Sequence, residues 1–167
     1  MLKPLLLMAV AAASPHFGTA VDPATSRAWD ASIPPNGQGL PPGQGSVSEG
    51  KAIYSQKCMA CHGADGAGKP ADRLTGGIGT LASPNPIKTV ASFWPYATTL
   101  FDYIRRAMPI AQPRSLSNDE VYALVAYILS IDGIVKGDAV MNADTLPKVR
   151  MPNRDGFIDA YAAEHGR

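Results

Sequence analysis

Apolar residues recur at helical spacing in three stretches of the chain, and each stretch carries its own start or stop signals. The last is the clearest. Val121, Leu124, Val125, Ile128 and Ile131 fall at i, i+3, i+4 and i+7 plus one further turn, which lines one helix face. Ser117 and Glu120 precede the run at capping-box spacing, and Gly133 stands where a helix stops. A first helix is expected from Ser46, again boxed with Glu49, to about Lys57, with Ile53 and Tyr54 inward. A middle helix is expected from Pro95 or Tyr96 to Ala107, with Leu100, Tyr103 and Ile104 on one buried face. Pro95 suits a first turn, where its missing N–H costs nothing. Nothing reads as a βαβ unit and no internal repeat is present, so the expected fold class is all-α.

Polar and Pro/Gly-rich stretches flank these helices. Residues 21–45 form a low-complexity arm, in which the run from Ile33 to Gly43 cannot hold a helix or an inner strand. Its apolar side chains, Trp29, Ile33 and Leu40, are available to dock. In the tail, residues 134–167, Leu146-Pro147 and Met151-Pro152 favour extended chain, while Phe157 to Glu164 suits a short helix. The first 20 residues read as an export signal. Lys3 is the charged start, Leu5 to Ala13 are apolar but too short to span a bilayer, and Gly18-Thr19-Ala20 offers a cleavage site after Ala20. With no cysteine near that cut, a lipid anchor is not indicated. The expected division is 1–20 signal, 21–45 arm, 46–133 domain and 134–167 tail, in a periplasmic protein without stable membrane insertion.

The chemistry concentrates just after the first helix. Cys58, Met59, Ala60, Cys61 and His62 spell C-x-x-C-H, the attachment motif of a c-type haem, and these are the only two cysteines. Two thiols at this spacing can each form a thioether to one porphyrin, and the next residue, histidine, can supply an axial nitrogen. A zinc site needs four N or S ligands, and beyond the motif the chain offers only His16, in the leader, and His165 near the end. A redox dithiol belongs in a βαβ context that is absent here.

A low-spin electron-transfer haem commonly takes a methionine sulfur as its sixth ligand. Met1 and Met8 leave with the signal, and Met59 is badly placed inside the motif. Of Met108, Met141 and Met151, the best candidate is Met108, followed by a stiffening Pro109 between two helices, with Met151 second. The competing reading of Met108 is a core gap-filler.

The formal net charge of +1 hides a gradient. Residues 51–114 carry eight basic residues against Asp65, Asp72 and Asp102, and the flanks are acidic. A basic surface around a haem can steer an acidic partner or neutralise propionates, but the near-zero total does not indicate nucleic-acid binding.

The CxxCH after a short helix, the Met108-Pro109 pair and the capped helix containing Ala126-Tyr127-Ile128-Leu129 together resemble the class I cytochrome c family over residues 46–133. The resemblance implies three main helices around one covalent haem c, with His62 and Met108 as axial ligands. It also implies that the Pro70 carbonyl accepts the second His62 ring N–H. Arg73, Trp94, Tyr96 and Arg105 are the candidate donors to the haem propionates, because a carboxylate beside apolar porphyrin needs them.

A narrower resemblance reaches both flanks, through Ile33-Pro34-Pro35, Gly39-Leu40-Pro41-Pro42-Gly43, the stretch from Thr89 to Pro109, and Thr145 to Phe157. These are similar to the cytochrome subunits of bacterial sulfite dehydrogenases and to the cytochrome component of the Sox sulfane dehydrogenase. The latter often carries two haems, and the single CxxCH here favours the former. The resemblance implies a molybdopterin-containing partner subunit that oxidises the sulfur compound, here expected to be sulfite. It also implies a downstream cytochrome c, and flanks that strap around the partner. A free-standing carrier is the alternative, and a haem enzyme or gas sensor with an open sixth site is a third reading.

Overall fold

The computed structural model describes residues 18–30 and 32–166; the apolar stretch Leu5–Ala13 of the expected signal lies outside them. The chain separates into two compact units at Asp30. In the first, helix α1 (Pro23–Trp29) starts on Asp22, whose carboxylate accepts from the Thr25 N–H at 3.0 Å. It lies in the arm, ahead of the run from Ile33 to Gly43.

The second unit is mainly helical, as the periodicity predicted. In chain order it contains strand β1 (Gln44–Ser46), α2 (Val47–Lys57), α3 (Met59–His62), a 3-10 turn (Ala64–Gly66), α4 (Val90–Phe93), α5 (Ala97–Ala107), α6 (Asn118–Ile131), strand β2 (Val140–Asn142), a second 3-10 turn (Leu146–Lys148) and α7 (Ala160–His165). Helix α6 is the axis of the core. Every residue from Val121 to Leu129 is buried, so it is surrounded rather than laid on a surface. Both expected capping boxes are formed, on Ser46 and Glu49 and on Ser117 and Glu120.

Helix α2 packs across α6 with its backbone close in. A Cβ at Gly50 would run into the Ala123 carbonyl and lie 2.8 Å from the Tyr127 Cβ; one at Gly45 would lie 2.6 Å from the Ala123 Cβ. These glycines are required by proximity, not by backbone angles. At the far end of α2, Lys57 Nζ bonds Glu120 Oε1 at 2.5 Å, linking the two helices.

That link predicts a pH effect. The Lys57 ammonium, then the Ser117 backbone N–H, hold the Glu120 carboxyl below its ordinary 4.5. A depressed acid contributes stability above its unfolded pKa and loses it as pH falls through the folded value. Lys57→Met is therefore expected to flatten the acid limb of the stability curve below about pH 4.5. At pH 7 it costs no more than about 1 kcal/mol, because the pair is partly exposed. Guanidinium unfolding of both proteins from pH 3 to 7 measures this, and parallel acid limbs would refute it.

The middle helix departs from expectation. Pro95 stays outside it, Tyr96 is the N-cap, and α5 begins at Ala97. The preceding residues form the separate α4, capped by Thr89 with Ser92 answering in place of the usual Glu. Leu100 and Ile104 are buried as predicted, but Tyr103 is 47% exposed, because Phe101 takes the inward position and packs on Tyr122 with ring centroids 4.5 Å apart.

The flanks within this unit fold onto their own domain. Ile33 is buried and Leu40 packs on the core. Tyr122 Oη donates to the Pro41 carbonyl (2.9 Å), and Asp119 accepts from the Gln44 N–H (2.8 Å). β1 pairs antiparallel with β2, Gly45 opposite Met141. Met141, Leu146 and Met151 are core residues. Burying Leu146 or Met151 contributes roughly 1.5–3 kcal/mol each. Among the described residues, no helix is long and apolar enough to cross a membrane.

Candidate haem site

The motif is built by the end of α2 turning into α3. Cys58 closes α2, its N–H bonding the Tyr54 carbonyl at 2.9 Å, and its own carbonyl accepts from the N–H groups of Cys61 (3.1 Å) and His62 (3.0 Å). One tight turn therefore holds both thiols and the histidine. Both cysteines are free, Cys58 half-buried and Cys61 exposed. Burial pushes the Cys58 thiol up to about 11, so it is protonated at neutral pH.

The following loop doubles back onto this turn. The Gly68 N–H bonds the His62 carbonyl at 2.7 Å and the Ala71 N–H bonds the Cys61 carbonyl at 2.9 Å. His62 Nδ1 then meets the Asp72 carbonyl at 2.9 Å. The acceptor is Asp72, two residues past the Pro70 implied by the resemblance, because the loop carries the chain further before it crosses the ring. A carbonyl can only accept, so Nδ1 carries the proton and Nε2 keeps its lone pair.

The loop is anchored to the two crossing helices. Tyr54 Oη donates to the Gly63 carbonyl at 2.9 Å, and Tyr127 Oη donates to Asp65 Oδ1 at 2.7 Å. The two rings touch, centroids 5.2 Å apart. Burial raises Tyr54 to about 12, and burial followed by the Asp65 carboxylate raises Tyr127, so both stay neutral donors at physiological pH.

Four methionines lie in the described residues. Met141 and Met151 are buried in the core and Met59 is 42% exposed inside the motif. Met108 is half-buried, directly after α5, its N–H on the Ile104 carbonyl at 3.0 Å. An open pocket of about 310 Å³ is lined by Lys57, Pro109, Ala111, Gln112 and Ser115. It brings the neighbour of Cys58 and the neighbour of Met108 to one place.

The expected propionate donors divide. Trp94 is half-buried, edge-on to Tyr103 at 5.7 Å. Tyr96 has the Arg154 guanidinium 4.4 Å over its ring. Arg73 is exposed beside Asp72. Arg105 lies close enough to Tyr122 to oppose the burial that raises that phenol to about 12. The sequence reading missed Asp72, whose contribution is a backbone carbonyl, and Asn153 and Arg154, which arrive from the tail.

The residues fit a haem c. The thiols are free and one turn apart, and a single imidazole nitrogen is left for iron. Among the described residues, no group of three or more His, Cys, Asp or Glu could hold a bare metal ion. A family model described as cytochrome c matches residues 47–132. The chain belongs to the cytochrome c family. Such proteins carry a covalently bound haem c and transfer electrons.

This cytochrome is 37% identical to a chain in the crystal structure of the sulfane dehydrogenase SoxCD from Paracoccus pantotrophus, with a TM-score of 0.81 over 90% of this chain and 74% of that one. It is 32% identical to a thiosulfate dehydrogenase of Allochromatium vinosum over 48% of this chain and 30% of the relative. A thiosulfate dehydrogenase of Stutzerimonas stutzeri is 28% identical over 61% of this chain and 36% of the relative. The cytochrome thus spans about a third of the length of these two curated relatives.

Proposed function

We propose that this cytochrome is the periplasmic haem subunit of a sulfur-oxidising dehydrogenase of the sulfite dehydrogenase type. A molybdopterin-containing partner subunit would deliver electrons to it singly, and another cytochrome c would collect them. The observation that carries the reading is the extent of the likeness to the SoxCD chain. It covers 90% of this cytochrome, well beyond the stretch 47–132 common to the family.

Within this reading Cys58 and Cys61 would hold the haem through thioethers, and His62 Nε2 and Met108 Sδ would ligate its iron. Arg73 and Trp94 are the first-choice propionate donors, with Tyr96 and Arg105 behind them. The haem supplies a ferrous/ferric couple that moves one electron at a time. The chain's own part is to fix the His62 tautomer through Asp72, brace the loop through Tyr54 and Tyr127, and fill the sixth position so that no substrate reaches iron. The chain itself performs no sulfur chemistry.

A free-standing carrier is the second reading. It is favoured by the burial of Ile33, Met141, Leu146 and Met151 in the cytochrome's own core, which leaves these flank residues no need of a partner. Purifying the native protein from a periplasmic extract and identifying its companions by mass spectrometry separates the two. A stoichiometric molybdopterin protein is the expected result, whereas a lone monohaem cytochrome would overturn the first reading in favour of the second.

A further inference from the structure

We infer that Asn153, with Arg154, is a positioning residue for the haem wall formed by Trp94 and Tyr96; the inference rests on the proposed placing of those two side chains at the haem. Helix α4 is four residues long, so the carbonyls of its last turn have no partner within it. Asn153 Nδ2 donates to the Phe93 carbonyl at 2.7 Å from sixty residues away, in a partly buried setting. Trp94 follows at once, in extended backbone, with Pro95 and Tyr96 after it.

The same tail loop grips this segment at three further points. Arg150 makes an antiparallel bridge to Tyr96. The Arg154 guanidinium covers the Tyr96 ring at 4.4 Å, a cation–π contact. Phe157 meets Phe93 edge-on at 5.2 Å.

The loop is itself fixed. Met151 is buried, and its carbonyl accepts from the Arg154 N–H at 3.1 Å. The Gly156 N–H bonds the Asn153 carbonyl at 3.2 Å. A side chain at Gly156 would collide with the Asn153 amide, so the turn is shaped around that amide. The tail therefore holds the Phe93–Tyr96 stretch by a backbone carbonyl and two rings at once. Besides the tail, the segment is met by Tyr103, edge-on to Trp94, and by the Lys88 ammonium 5.1 Å over the Phe93 ring. Moving the amide would let Trp94 and Tyr96 shift relative to the haem while every iron ligand stays in place.

The test uses the haem-loaded protein and two readouts that a loss of stability alone does not move: the midpoint potential and the paramagnetically shifted haem methyl resonances of the ferric form. Asn153→Asp keeps the size and removes the donor. It is expected to shift both readouts in the same sense as Trp94→Phe, and the double variant is expected to be non-additive. Arg154→Gln, which leaves the amide intact, is expected to give a smaller shift and serves if Asn153→Asp does not accumulate. If Trp94→Phe shifts the haem signals but the tail variants do not, the positioning role is overturned and the haem wall stands. If Trp94→Phe is silent, the haem wall fails and the positioning role with it.

Discussion

Replacing Gly50 by alanine is expected to destabilise the protein although alanine is the better helix former. The propensity gain at a helix interior is about 1 kcal/mol. Against it stands a methyl group driven into the Ala123 carbonyl and to 2.8 Å from the Tyr127 Cβ. Overpacking a core costs typically 1–3 kcal/mol when side chains can yield. Here the obstacle is helix backbone on both sides, so the two helices must move apart along the contact that buries Tyr54. We expect a net loss of at least about 2 kcal/mol for alanine, and for valine failure to accumulate holoprotein, given total stabilities of about 5–15 kcal/mol. Gly137, with nothing near its Cβ position and no positive φ, is the control; Gly137→Ala is expected to be neutral or slightly stabilising. Unfolding followed by circular dichroism measures the two alanine variants and holoprotein yield measures the valine one, and a Gly50→Ala protein as stable as the parent would show that the crossing has room.

The parts of this fold that could be read from sequence are those governed by neighbours in the chain. Ser46 with Glu49 and Ser117 with Glu120 sit three residues apart, so their capping boxes are visible as spacing. The run Val121 to Ile131 declares α6 in the same way. The cap on α4 uses Ser92 where the pattern asks for Glu, so its spacing carries no such signal. The spacing of Leu100, Tyr103 and Ile104 predicts Tyr103 inward; the contact of Phe101 with Tyr122 turns Phe101 inward instead, and that contact is tertiary.

At the site the division is the same. Cys58, Cys61 and His62 are legible because covalent chemistry demands adjacent positions. The partner of His62 is not, since the Asp72 carbonyl is a group every residue has, selected only by where the loop crosses the ring. The pairing of β1 with β2 joins Gly45 to Met141 across the whole domain, in strands of three residues too short to show alternation. It was this pairing, with the burial of Leu146 and Met151, that turned two low-complexity flanks into parts of the core.

The largest functional effect is expected from Met108→Ala. Met141 and Met151 have their side chains in the core, and Met59 sits inside the attachment turn, whereas Met108 is half-buried against the edge of the core and is followed by Pro109, which lines a pocket with Lys57. A thioether favours ferrous iron, so its loss lowers the potential by a sizeable part of the roughly 0.8 V range that axial ligands command. The open position then admits carbon monoxide in the reduced protein, which the parent is expected to exclude. The stability cost is modest, below the about 2–5 kcal/mol of a fully buried Met→Ala change, because Met108 is only half-buried and the thioethers still tether the haem. Met151→Ala is the mirror experiment. Its side chain is almost completely enclosed, so it is expected to lose that full cavity cost while leaving the potential and the visible spectrum unchanged. The two variants thus separate a sulfur that ligates from a sulfur that packs. If the sulfur-to-ferric charge-transfer band survives in Met108→Ala and disappears in Met151→Ala, the ligand is Met151, and the loop after α5 has some other task.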